Sequence, residues 1–169
     1  MNADALRAVQ APLKARYKDD PSAAQLTLRA GGRVDQGALT CALSSGKAGV
    51  PAGLHPATGG DGSHACSGDM LLEALVSCAG VTLAAVATSM GIALDEALVD
   101  AEGDLDFRGT LGVAKDAPVG FTDIRLRFTL RSAAGADQLR KLVELTERYC
   151  VVLQTLKTPP RIEARVASS

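Results

Sequence analysis

Tryptophan is absent from this chain of 169 residues, and aromatic residues make up only 3% of it. A core without large rings is built from aliphatic and small side chains. That composition suits closely approached helices, or burial against a second subunit. Histidine is almost absent too. His55 and His64 lie in one stretch, so no Ser-His-Asp arrangement is suggested. No basic run occurs and the net charge is −1, which excludes nucleic-acid binding on electrostatic grounds. The first residues, Met1-Asn-Ala-Asp-Ala-Leu-Arg7, lack the charged start and apolar run of a secretory signal. The most apolar stretch, Ala74 to Met90, is short of the roughly 20 residues of a membrane span and rich in Ala, Ser and Thr. A cytoplasmic protein with a buried core helix and no membrane contact is expected. In a reducing compartment the four cysteines, at 41, 66, 78 and 150, are expected to be free, catalytic or metal-bound.

What is present reads as one α+β domain over residues 1–169. Residues 1–20 form a helical extension, with a helix from Ala5 to Tyr17 broken at Asp20-Pro21. Gln25 to Arg29 and Val34 to Leu43 read as strands joined at Ala30-Gly-Gly32. Seven of the 17 glycines fall in residues 44–68, together with Pro51 and Pro56, and mark a long loop. Ser67 or Asp69 caps the central helix, which Gly91 ends. A strand starts near Ala97, and Leu105 to Leu111 reads as another. Ile124, Leu126, Phe128 and Leu130 alternate with polar residues, as in a half-buried strand over Thr122 to Arg131. A helix from Ala136 carries apolar residues to Leu153, with Arg140–Glu144 and Glu144–Arg148 pairs on its wet face. Thr158-Pro-Pro160 stops it, and Ile162 to Val166 reads as a last strand.

The chemistry-bearing residues are cysteines. Cys78 lies inside the apolar helix, on a face shared with Leu71, Ala74, Leu75, Val81, Thr82 and Ala85. Aliphatic burial raises a thiol's pKa, so a reactive Cys78 needs a cation from another segment. Arg29 and Arg33 are the candidates; the alternative is an inert core thiol. Cys150 lies near the apolar stripe of its own helix, and the two form a candidate redox pair. Glu73, five residues before Cys78 and about 140° round the helix, is no simple partner of the thiol; it reads as a first-turn acid, with a buried charge paired elsewhere as the alternative. His64 and Cys66 with Cys78 and Cys150 match no common zinc spacing. Gly60-Asp-Gly-Ser-His-Ala65 has no lysine after it and is discounted as a phosphate loop.

Leu71-Leu-Glu-Ala-Leu-Val-Ser-Cys78-Ala-Gly-Val-Thr-Leu83 resembles the central cysteine helix of the OsmC/organic hydroperoxide resistance family. Glu147-Arg-Tyr-Cys150-Val-Val-Leu-Gln-Thr-Leu156, followed by Pro159-Pro160, is similar to its second-cysteine segment. The likeness extends over roughly Gln25 to Val166. It implies an OsmC-like fold: an intertwined homodimer with two central cysteine helices wrapped by β-sheets. It also implies a thiol peroxidase for organic hydroperoxides, with no cofactor and no metal, recycled by a dithiol reductant of lipoyl or small-thiol type. Cys78 is then the peroxidatic cysteine, Cys150 the resolving one, and Arg33, ahead of Arg29, the thiolate's cation. The family often has a glutamate where Gly68 stands, so Asp69 or Glu73 takes its role. The proline often found after the second cysteine is Val151 here. A binding or redox-sensing protein on the same fold, without turnover, is the alternative reading.

Overall fold

The apolar run after Gly68 folds as one long helix, and the rest of the chain is arranged around it. The computed structural model describes residues 51–112 and 114–167, the backbone of 32–35 and 40–43, and residues 2–5, 8, 10, 11 and 19 near the N-terminus. The expected strand Gln25–Arg29, Arg29 included, lies outside the described residues. Of the expected N-terminal helix, residues 3–5, 8, 10 and 11 are helical.

Helix α1 spans Ser67–Met90, 24 residues. One stripe of it is buried: Leu75, Ala79, Leu83 and Ala87, each four residues apart. That spacing keeps a single face turned inward. Alternating leucine with alanine lets neighbouring elements approach closely. Gly91 closes the helix at φ 68°, a left-handed conformation that glycine adopts without strain, and its N–H bonds back to Ala87 and Thr88 carbonyls. The start differs from expectation. Cys66 holds the cap position without a side-chain bond, and Asp69 lies in the first turn. At 24 residues the helix is long and apolar enough, by length and composition alone, to cross a bilayer, where the apolar stretch Ala74 to Met90 is too short.

Strands β1 (Gly32–Asp35), β2 (Thr40–Leu43), β3 (Pro51–Gly53) and β4 (Ala65–Cys66) form one sheet in that order. The first two pairings are antiparallel and β3–β4 is parallel. The expected single strand Val34–Leu43 is therefore two. Gln36-Gly-Ala-Leu39 between them lies outside the described residues. The glycine-rich stretch 44–68 also holds more than a loop: β3, β4 and a 3-10 turn at Pro56–Thr58.

Strands β5 (Glu96–Asp104) and β6 (Asp123–Arg131) pair antiparallel from Glu96↔Arg131 to Asp104↔Asp123. Ile124, Leu126 and Phe128 face α1 from β6, with Val99 and Ala101 from β5. On the wet face, Arg125 holds Asp104 with two nitrogens and reaches Glu102 and Asp123. Exposed pairs of this kind add little stability. Leu105–Leu111 is not a strand. Asp106 accepts the Arg108 N–H at 3.0 Å and starts the short helix α2 (Phe107–Thr110). The cap chemistry of aspartate overrides the apolar alternation there.

Helix α3 (Ala136–Tyr149) packs on α1, and α4 (Val151–Lys157) follows after one extended residue, Cys150. The sequence suggested one continuous helix. On its wet face Arg140 pairs with Asp137 and Lys141 with Glu144, rather than Arg140 with Glu144. The expected strand Ile162–Val166 is not formed: residues 158–167 have no regular structure. A strand needs a neighbour for its main-chain groups, and this segment has none among the described residues. Ile162 is 84% exposed and Val166 97%.

Candidate active site

Cys78 sits on α1 between Leu75 and Ala79 of the buried stripe. Cys150 occupies the joint between α3 and α4. Packing of the stripe against Val152, Leu153 and Leu156 of α4 brings the two cysteines into one cluster. Both thiols are free; Cys78 is partly buried and Cys150 is 0% exposed. An accessible sulfur backed by a hidden one suits a nucleophile with a resolving partner.

The joint leaves main-chain donors over. Cys150 is extended (φ −72°, ψ 106°), its N–H bonds to the Thr146 carbonyl, and its carbonyl accepts from Gln154. Val151, Val152 and Leu153 open α4, so their N–H groups have no helical acceptor. The Glu147 carbonyl, four residues before Val151, is taken by the Gln154 side chain at 2.7 Å. The main-chain N–H groups of Val152 and Val151 and the Cys150 thiol each favour a charged sulfur at Cys78.

The two thiols are therefore driven apart. Burial opposes a charged Cys78, but the Val152 N–H, the Cys150 thiol and the Val151 N–H outweigh it, and Cys78 ionises below the ordinary thiol range. The Thr82 hydroxyl contributes least. It also donates to the Cys78 carbonyl oxygen, at 2.8 Å, and has one proton to share. Burial pushes Cys150 up, and the charge and hydrogen bond of Cys78 hold its proton on. Of the two, Cys78 gives up its proton first.

Arg33 lies in β1 opposite Ala42; its side chain is outside the described residues. Asp69 and Glu73 are exposed on α1 and line a shallow depression with Leu72, Val76, Ser77 and Ala101. Among the described residues neither has an ion-pair partner, and Glu73 lies about 7.5 Å along the helix from Cys78. His64 shares a 2.8 Å hydrogen bond with Ser63, whose hydroxyl donates to Asp61. Cys66 opens instead on a separate cavity of about 330 Å³ with His55, Phe107 and Phe121. Among the described residues no three of His, Cys, Asp and Glu gather to hold a metal ion.

An apolar groove of about 620 Å³ runs along α1 beyond Cys78, lined by Val81, Thr82, Ala85, Val86, Leu145 and Tyr149. The main-chain donors of Val151 and Val152 escape sequence reasoning. With neither glycine nor proline at Cys150, nothing marks the break that exposes them.

The protein-family profile "OsmC-like protein" matches residues 60–165. No curated protein matches the chain. Among solved structures, an OsmC-like protein from Mycoplasma pneumoniae superposes with a TM-score of 0.67 at 14% identity, covering 80% of this chain and 90% of that one. An organic hydroperoxide resistance protein from Elizabethkingia anophelis gives 0.63 at 13% identity, with 80% and 92% covered. The organic hydroperoxide resistance protein OhrB of Bacillus subtilis gives 0.53 at 15%, with 79% and 93% covered. These likenesses establish a shared fold, and with the family match over more than half its length this chain belongs to the OsmC-like protein family.

Proposed function

We propose that the protein is a thiol peroxidase for organic hydroperoxides. The observation that carries this reading is the pairing of the cysteines in one cluster: a partly exposed Cys78 that ionises more readily than an ordinary thiol, beside a buried Cys150 that holds its proton longer. The Cys78 thiolate attacks the distal oxygen of ROOH. The O–O bond breaks, the alkoxide takes a proton and leaves as ROH, and Cys78 becomes a sulfenic acid. The Cys150 sulfur then displaces hydroxide, which leaves as water, and a disulfide forms. A dithiol of lipoyl or small-thiol type exchanges with the disulfide, is itself oxidised, and restores both thiols. The apolar groove that runs along α1 beyond Cys78 takes the hydrocarbon of the peroxide.

The working unit in this reading is a homodimer, in which a second copy covers the face of α1 that carries the exposed Val81. Arg33 then approaches Cys78 as an additional cation, and Asp69 or Glu73 orients it. Mass spectrometry after one equivalent of cumene hydroperoxide tests the cycle in fully reduced protein. The expected products are one Cys78–Cys150 bond and one equivalent of cumyl alcohol. Alcohol without that bond would sink the resolving role of Cys150, and no alcohol would sink the peroxidase.

A further inference from the structure

An organic hydroperoxide carries a single hydrogen-bond donor, the O–H of its distal oxygen, and that oxygen is the one a thiolate attacks. A site that holds it needs an acceptor within reach of the sulfur and open to the hydrocarbon's groove. Thr82 meets both conditions. It follows Cys78 by four residues on α1, so the two side chains are neighbours on one face, with about 5–6 Å between their β carbons. It also lines the apolar groove, where it and Val81 are the α1 residues closest to Cys78 in sequence. Val81 has no polar side-chain atom. Ser89, the other α1 hydroxyl on that wall, lies about 10 Å further along the helix.

The Thr82 hydroxyl donates to the Cys78 carbonyl oxygen at 2.8 Å. That bond commits its one proton and fixes its rotamer, which leaves the lone pairs of the oxygen to accept. We propose that Thr82 is the acceptor that holds the distal O–H of the hydroperoxide, setting that oxygen against the Cys78 sulfur while the hydrocarbon lies in the groove. The inference rests on the peroxidase reading and deepens it. The distal oxygen keeps its hydrogen as it passes to sulfur. The S–O bond forms, the O–O bond breaks, and its electron pair leaves with the alkoxide, which takes a proton from water. The hydrogen of the new sulfenic acid stays on Thr82. The bond to the carbonyl is itself ordinary for a helical threonine: Thr88 makes the same one to Ala84 at 2.8 Å and does not line the groove. What distinguishes Thr82 is its place, one turn from the sulfur and on the groove wall.

Thr82→Val keeps the outline of the side chain and removes the acceptor. In fully reduced protein, release of cumyl alcohol from cumene hydroperoxide in a single turnover gives the rate constant of Cys78 oxidation. Thr82→Val should lower it about tenfold, the worth of one hydrogen bond. Thr82→Ser keeps the hydroxyl and should restore most of the rate, and Thr88→Val should match the unmodified protein. Iodoacetamide brings no hydroperoxyl group, so alkylation of the Cys78 peptide, followed against pH by mass spectrometry, separates this role from an effect on the thiol or the fold. Its midpoint and limiting rate should be the same in Thr82→Val and the unmodified protein. Alkylation slowed in step with peroxide reduction would overturn the role, because the hydroxyl would then act through the thiol or the helix. Equal alcohol release by Thr82→Val and the unmodified protein would overturn it as well and leave the peroxidase reading standing. No alcohol from the unmodified protein would sink that reading, and this role with it.

Discussion

At position 33 the expected role is electrostatic, and its removal has a definite sign. Cys78 ionises more readily than an ordinary thiol, so its alkylation by iodoacetamide should reach half its limiting rate at a lower pH than that of a free cysteine thiol. Replacing Arg33 with alanine should raise this midpoint by about 1 pH unit if the guanidinium lies within a few ångströms of the sulfur. The curve should not return to that of a buried thiol, because the amides of Val152 and Val151 remain. An unchanged curve for Arg33→Ala beside a raised one for Arg29→Ala would transfer the role to Arg29. The identity of the two cysteines was legible in the sequence, since each lies in a segment with a family likeness. Their electrostatics were not. The sequence pointed to a cation on another strand, whereas the described residues supply main-chain donors. Amides carry no letter in a sequence.

Among the elements, α1 has two faces with different fates. Leu83 belongs to the buried stripe, and Leu83→Ala should cost about 2–5 kcal/mol in urea unfolding. Val81 is 72% exposed in the single chain. Val81→Asp should leave secondary structure intact by circular dichroism but yield monomers by light scattering, because a carboxylate cannot be buried unpaired between subunits. A native-sized dimer of that variant would show that this face is not the interface. Apolar periodicity made the central helix, β6 and the start of α3 readable. It failed wherever a local signal was weak or contrary. Asp106 turned an apparent strand into α2, Gly37 lies between the two halves of an apparent single strand, and the division of α3 from α4 left no breaker residue to see. The groove along α1 beyond Cys78 combines that helix with Leu145 and Tyr149, so no single segment announces it. Burying three or four methylenes there is worth about 2.4–3.2 kcal/mol. Alkyl or aryl hydroperoxides should therefore exceed hydrogen peroxide in kcat/KM by at least roughly tenfold. Equal efficiencies would show that the groove does not receive substrate.

For the whole molecule, the incomplete parts are as telling as the packed ones. β5 and β6 form a sheet of only two described strands, and the segment after Pro160 alternates Ile162, Ala164 and Val166 with Arg161, Glu163 and Arg165 without joining a sheet. Two strands alone are marginal in water. The wet face of β5 carries Glu96, Asp100, Glu102 and Asp104, of which Glu96, Glu102 and Asp104 pair with Arg131 and Arg125 of β6. If a second copy completes these parts, subunit stability depends on association. The unfolding midpoint should then rise with protein concentration over the micromolar range. A midpoint independent of concentration, with a monomer by light scattering, would overturn the dimer. The unattached tail carries a further consequence, for mixtures of chains. A subunit that lends its last strand to its neighbour holds part of that neighbour's fold. A chain cut after Pro160 would still offer its own helices and sheet for assembly while returning nothing. Made in the same cell as the intact chain, it would act as a dominant inhibitor rather than a silent loss.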